Sequence, residues 1–204
     1  AVLGGGVGIS NTSAAVMPPT VDLIMNGVSV AAKDPVASTT VLLVGNGVQG
    51  EYICTGSVIA PDMVITAAHC VQTNPENIRI VFARSVNKSK KNEPSQMLSI
   101  EGYLVNPKFR GSNYQGVDMG DIAVVHLTEK IPSGYQPAKL MPVTEQLKPQ
   151  ENTILAGYGI TNANTEKGSG TLRKVIAVIK GAVSKTEIAI DETTHKGSCN
   201  GDSG

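Results

Sequence analysis

The amino-acid sequence predicts an all-β protein made of two β units, and three observations carry that expectation. Nine short apolar runs, at 39–44, 52–59, 63–67, 78–82, 97–105, 122–127, 153–156, 172–179 and 186–190, have the length of strands. Gly, Pro, Asn and Asp punctuate them, as at Gly45-Asn46-Gly47, Asn74-Pro75 and Asn106-Pro107. Long amphipathic helix patterns are missing, and only 67–71 and 144–147 could hold a helical turn.

The first six runs fall in a unit spanning about 24–135. Segment 140–152 is largely polar, carries Pro142 and Pro149, and reads as the connection to a second unit. That second unit has three runs, whereas six strands of natural length with their turns need about 80–100 residues. No internal repeat is present.

Composition narrows the function classes. With 41 % hydrophobic residues in 204, the chain can bury a core. Its 17 basic and 17 acidic residues cancel, which gives no electrostatic footing for nucleic acid or an anionic membrane. Lys88, Lys90 and Lys91 lie among Asn87, Ser89 and Asn92 and read as a solvated loop. No run approaches the roughly 18 apolar residues of a membrane span. Residues 1–20 are uncharged and rich in Gly, Ala, Ser and Thr, without the basic start of a secretory signal.

Three motifs carry chemistry. Asn200-Gly201-Asp202-Ser203-Gly204 sets a serine between small neighbours, which lets its hydroxyl and nearby amides face one carbonyl. Thr66-Ala67-Ala68-His69-Cys70 offers a histidine, the side chain suited to take a proton near neutral pH. Met119-Gly120-Asp121-Ile122-Ala123 places a carboxylate at the mouth of an apolar strand, where it can orient an imidazole. Asp118 competes for that role, but Asp121 abuts the apolar run directly. His126 and His195 lack such flanks and read as ordinary surface or core residues.

The order His69, Asp121, Ser203, with these flanks, closely resembles the chymotrypsin/trypsin family of serine proteases. The resemblance runs from Ile24 to Gly204. Cys54-Thr55-Gly56-Ser57-Val58-Ile59 looks like the family's strand before the histidine, and Val105-Asn106-Pro107-Lys108-Phe109 like its approach to the aspartate. Ala156-Gly157-Tyr158-Gly159 resembles its Gly-Trp-Gly turn, with Tyr158 in place of Trp; Leu172-Arg173-Lys174-Val175 resembles the strand after it.

The resemblance implies two six-stranded antiparallel β-barrels of the chymotrypsin type, the second incomplete in this chain. Residues 1–23 would be a propeptide, 24–135 the barrel carrying His and Asp, and 136–204 the linker and partial barrel carrying Ser. It implies Ser203 as nucleophile, His69 as general base, Asp121 as its orienting group, and the amides of Gly201 and Ser203 as oxyanion hole. Ile24-Met25-Asn26-Gly27 resembles the mature N-terminus, so cleavage after Leu23 would free the Ile24 ammonium to pair with Asp202. Gly197 and Ser198 would lie at the specificity pocket. Gly197 stands where trypsin-like members carry an aspartate, which favours a small or apolar side chain over Arg or Lys. A disulfide is implied between Cys54 and Cys70, leaving Cys199 without its family partner.

No metal or organic cofactor is implied. The expected partners are protein or peptide substrates, an activating protease and a separate C-terminal fragment that completes the second barrel. The disulfide points to a secreted or periplasmic protein, and the low number of cysteines to a bacterial one. Two competing readings remain at this stage: a non-catalytic binding module or inactive truncated homologue on the same fold, and an esterase using the same triad.

Overall fold

The computed structural model describes residues 27–47, 50–72, 77–86, 95–111, 119–161, 167–184, 186–191, 198 and 200–204. Its elements in chain order are β1 (Val28–Ser29), α1 (Pro35–Thr39), β2 (Thr40–Gly47), β3 (Gly50–Ala60), β4 (Met63–Thr66), α2 (His69–Gln72), β5 (Arg79–Phe82), β6 (Gln96–Val105), β7 (Ala123–Leu127), β8 (Asn152–Gly157), β9 (Arg173–Ala182) and β10 (Ile188–Ile190). The expected all-β class holds.

Strands β2, β3, β4, β7, β6 and β5 close, in that order, into an antiparallel barrel. Closure leaves none of the six as an open edge. Val41, Leu43, Val58, Val64, Ile80, Phe82, Val125 and Leu127 fill its interior. The strand β2 shows why its sequence is a continuous apolar run rather than an alternation. Val41 and Leu43 face the barrel interior, while Leu42 between them packs into a second cluster with Val30, Val81, Tyr158 and Leu172. A strand covered on both faces has no solvent side to make polar.

The second unit is a four-stranded sheet around β9, which pairs antiparallel with β8 along one side and with β1 and β10 on the other. Among the described residues it does not close into a barrel, in line with the expected incomplete second barrel. Its seam with the first unit is hydrogen-bonded as well as apolar. Leu172 N donates to Arg84 O (2.8 Å) and Val86 N to Gly170 O (2.9 Å), while the buried hydroxyls of Ser85 and Thr171 lie 3.0 Å apart. Lys174 on β9 pairs with Asp34, which also caps α1 by accepting from Val36 N.

Several local expectations needed correction. Gly45-Asn46-Gly47 reads as a turn but continues β2, paired through to Gly50 on β3. The helical turn expected at 67–71 is α2, whereas 144–147 forms no helix. The sequence reading overlooked α1, although Asp34 followed by Pro35 is a cap followed by a first-turn proline. The connecting segment is less polar in effect than in composition, because Leu140, Met141 and Val143 are exposed. Among the described residues no helix is long and apolar enough to cross a membrane.

Candidate active site

His69 begins α2, just after β4 delivers the chain through the buried pair Ala67-Ala68. Two attachments fix this corner. The disulfide between Cys54 and Cys70, expected from the sequence, closes a loop across 16 positions with Cα atoms 6.2 Å apart. A loop of that size stabilises by roughly 3 kcal/mol in the chain-entropy account. The Tyr52 hydroxyl, on β3, donates to Cys70 O at 2.8 Å.

Asp121 reaches His69 from the chain entering β7. Gly120 before it has φ +67°, and a Cβ there would lie 2.9 Å from Lys108 O, so the bend into Asp121 needs glycine. From that bend Asp121 holds the histidine twice. Its Oδ2 accepts from His69 Nδ1 at 2.6 Å, and its Oδ1 accepts from the His69 backbone N–H at 2.9 Å. A carboxylate can only accept, so the imidazole proton belongs on Nδ1 and the Nε2 lone pair is left for a donor. The two side chains are 33 % and 21 % exposed, which keeps the pair at the edge of solvent.

Ser203 sits on a loop tied down at every residue from 200 to 203. Ile160 N donates to Asn200 O (2.9 Å), and the Thr55 hydroxyl donates to Gly201 O (3.0 Å). Gly159 N donates to Asp202 Oδ1 (2.7 Å), and Thr55 N to Ser203 O (2.7 Å). Asp202 is 9 % exposed, and its carboxylate lies against the 157–159 turn. A Cβ on Gly159 would come within 2.5 Å of Asp202 Cγ, which accounts for the glycine there.

These elements bring His69 and Ser203 to one cleft of about 310 Å³, lined also by Tyr52, Ile53, Cys54, Asn200 and Gly201. No hydrogen bond joins the Ser203 hydroxyl to His69 among the described residues; His69 Nε2 lies 3.5 Å from Cys70 Sγ. Ser198 lines a separate cavity of about 560 Å³ with Asp202 and Ser203. Leu23, Ile24, Asp118, His195, Gly197, Cys199 and the Lys88–Lys91 run lie outside the described residues. His126 is a half-exposed surface residue beside Glu101 (2.8 Å).

The one grouping of possible metal ligands among the described residues is Cys54, His69 and Cys70. Its two sulfurs are bonded to each other, and a metal takes thiolates.

Sequence reasoning missed three supporting residues. Thr55 bridges the two units, and Glu187 Oε1 accepts from Met119 N (2.8 Å), two residues before Asp121. Tyr158 is fully buried, and its hydroxyl donates to Ala83 O at 2.8 Å, with Thr40 O at 3.3 Å. Only Tyr158 left a signal, as a polar-tipped aromatic between two glycines.

A carboxylate-held imidazole and a serine on a glycine-flanked loop, set between a closed barrel and a second β unit, are the parts from which a serine hydrolase site is built. The family model described as Trypsin matches residues 26–204, and the chain belongs to the trypsin family of serine proteases. Among its relatives is coagulation factor XII of Cavia porcellus, 34 % identical over 80 residues, which are 38 % of this chain and 12 % of that protein. Coagulation factor XII of Sus scrofa is 34 % identical over 82 residues, 39 % of this chain and again 12 % of the relative. The match thus spans about one-eighth of the length of these relatives.

Proposed function

We propose that the protein is a secreted serine endopeptidase precursor that cleaves peptide bonds through His69, Asp121 and Ser203. The observation that carries this reading is the double hold of Asp121 on His69 beside the cleft that also contains Ser203. In this reading Ser203 Oγ attacks the scissile carbonyl and passes its proton to His69 Nε2. The carbonyl oxygen becomes an anion held by the amides of Gly201 and Ser203. Collapse of the tetrahedral intermediate expels the amine, which takes the proton back from Nε2 and leaves an acyl-Ser203. Water then attacks the acyl carbonyl and gives a proton to Nε2, which passes it to the departing Ser203 Oγ, releasing the acid and free Ser203. Asp121 remains ionised and stabilises the imidazolium.

The reading needs a Ser203–His69 hydrogen bond, of the kind that tightens when the productive complex assembles. We assign that step to activation. Residues 1–23 act as propeptide to a first barrel at 24–135 and a serine-bearing unit at 136–204. Cleavage after Leu23 frees the Ile24 ammonium, which pairs with the buried Asp202 carboxylate and resets the Asp202 part of the loop, bringing Ser203 Oγ onto His69 Nε2 while the backbone carbonyls of Gly201 and Ser203 keep their anchors. Gly197 and Ser198 leave the primary pocket without a negative charge, so small or apolar side chains are preferred before the scissile bond. The substrates are then proteins or peptides, with an activating protease as a further partner.

The test is to place an enteropeptidase recognition sequence immediately ahead of Ile24 and assay before and after cutting. Hydrolysis of peptide amides that appears on cutting and vanishes in Ser203→Ala supports the reading. Hydrolysis of esters without amides would instead identify an esterase. A cut, folded protein inert to both would identify a non-catalytic homologue.

A further inference from the structure

We propose that Thr55 is the positioning residue of the nucleophile loop, holding Gly201 and Ser203 through its hydroxyl and its amide. The inference rests on the reading of Ser203 as nucleophile. Thr55 lies on β3 directly after Cys54 and is 3 % exposed. A threonine hydroxyl has one proton and two lone pairs. Tyr158 N–H can only donate and Gly201 C=O can only accept, so the roles at 3.1 Å and 3.0 Å are fixed. The hydroxyl takes the Tyr158 amide and gives its proton to the Gly201 carbonyl. The Thr55 backbone N–H donates to Ser203 O (2.7 Å), and Thr55 O accepts from the Thr66 hydroxyl (2.7 Å) at the end of β4, three residues before His69. One residue therefore joins the strand that delivers the base, the loop that carries the nucleophile and the turn that receives Asp202.

The consequence lies in what these bonds leave over. Pinning the Gly201 carbonyl fixes the peptide plane between Gly201 and Asp202, and pinning the Ser203 carbonyl fixes the next anchor along the chain. With Ile160 N on Asn200 O and Gly159 N on Asp202 Oδ1, an acceptor of every residue in 200–203 is engaged by the framework. The amides of Gly201 and Ser203 donate to no group among the described residues. They are the donors an oxyanion would need, and preorganised donors of this kind act without reorganising during the reaction. Strand propensity does not call for the hydroxyl, because valine has the same branched shape and suits β3 equally.

The experiment uses the full chain, cut ahead of Ile24, with Thr55→Val, Thr55→Ala and Thr55→Ser. Thr55→Val takes the hydroxyl partner from both the Tyr158 N–H and the Gly201 C=O; the kcat for a peptide amide should fall about tenfold, the share of the bond to Gly201, with KM unchanged. Affinity for a peptide boronate, whose tetrahedral adduct presents an oxygen to Gly201 and Ser203, should fall by the same factor. Thr55→Ser should restore both. A role confined to stability would lower the melting temperature and leave kcat of the folded enzyme and boronate affinity as they were, which would overturn the proposal. Thr55→Ala gives the same reading if valine prevents folding.

Amide hydrogen exchange at 200–204 separates this idea from the protease reading. Faster exchange in Thr55→Val and Thr55→Ala but not in Thr55→Ser supports the hold even if the parent never hydrolyses a peptide. Unchanged exchange in both hydroxyl-free variants refutes it even if the parent is a protease.

Discussion

Replacing Asp121 by Asn changes one oxygen to an amide nitrogen, and the two bonds at 2.6 Å and 2.9 Å decide the outcome. The carboxylate accepts from two N–H groups of His69 at once, whereas an amide has one acceptor and one donor end. If the Asn oxygen keeps the backbone N–H, its NH2 faces Nδ1 and forces the ring proton onto Nε2. The nitrogen that should receive the Ser203 proton is then already protonated. The opposite orientation sets two donors against each other at the backbone. A lost charge-assisted bond at this partly exposed site costs about 1–3 kcal/mol of stability, so the protein should still fold. The wrong tautomer should cost roughly 10⁴-fold in kcat, about 5 kcal/mol of transition-state stabilisation. Steady-state hydrolysis by the activated enzyme, set beside its melting curve, measures the two effects separately. A folded Asp121→Asn enzyme within tenfold of the parent would refute the assigned role of Asp121.

Other consequences arise from the same set of contacts. Tyr158→Phe removes a buried hydroxyl from Ala83 O and should destabilise by about 1–3 kcal/mol, lowering the melting temperature by about 2–4 °C for each kcal/mol; an unchanged melt would show that this bond adds nothing at the seam. Gly120→Ala forces a side chain into a left-handed bend against Lys108 O, at about 1–2 kcal/mol in backbone strain alone, and should reduce activity beyond its effect on stability because it displaces Asp121. The hydrogen bond from Lys174 holds the Asp34 carboxyl below its ordinary value, with the Val36 N–H and the Lys174 charge assisting against the opposing effect of burial. A depressed folded-state pKa contributes stability that is fully present above the unfolded value of about 3.9 and is lost as the pH falls through the lower folded one. The stability gap between the parent and Asp34→Asn should therefore be constant at neutral pH and shrink below about pH 4, which thermal melts across that range would check.

The all-β class was legible because the strands are short apolar runs with turn residues between them, whereas closure of six of them into a barrel was expected only from the family resemblance. The candidate site was legible as three motifs, each with a visible reason: Cys70 beside His69, the apolar run directly after Asp121 and the glycines around Ser203. The features that escaped depend on contacts between positions far apart in the chain. Thr55 looks like any β-branched strand residue until Gly201, 146 positions later, lies against its hydroxyl. Glu187 looks like a surface acid until the Met119 amide meets it. Gly45-Asn46-Gly47 misled because turn residues also fit the end of a long hairpin, where pairing with β3 outweighs local preference. Exposed Leu140, Met141 and Val143 were hidden by the prolines and polar residues around them.

The most direct measurement is the intact mass of the protein after exposure to a fluorophosphonate, with peptide mapping of the modified residue, before and after cleavage following Leu23. One adduct on Ser203, formed by the cleaved chain and lost in His69→Ala, is the predicted result. A folded, cleaved chain that forms no adduct, or labels equally well without His69, would contradict the assignment of His69 and Ser203 as base and nucleophile.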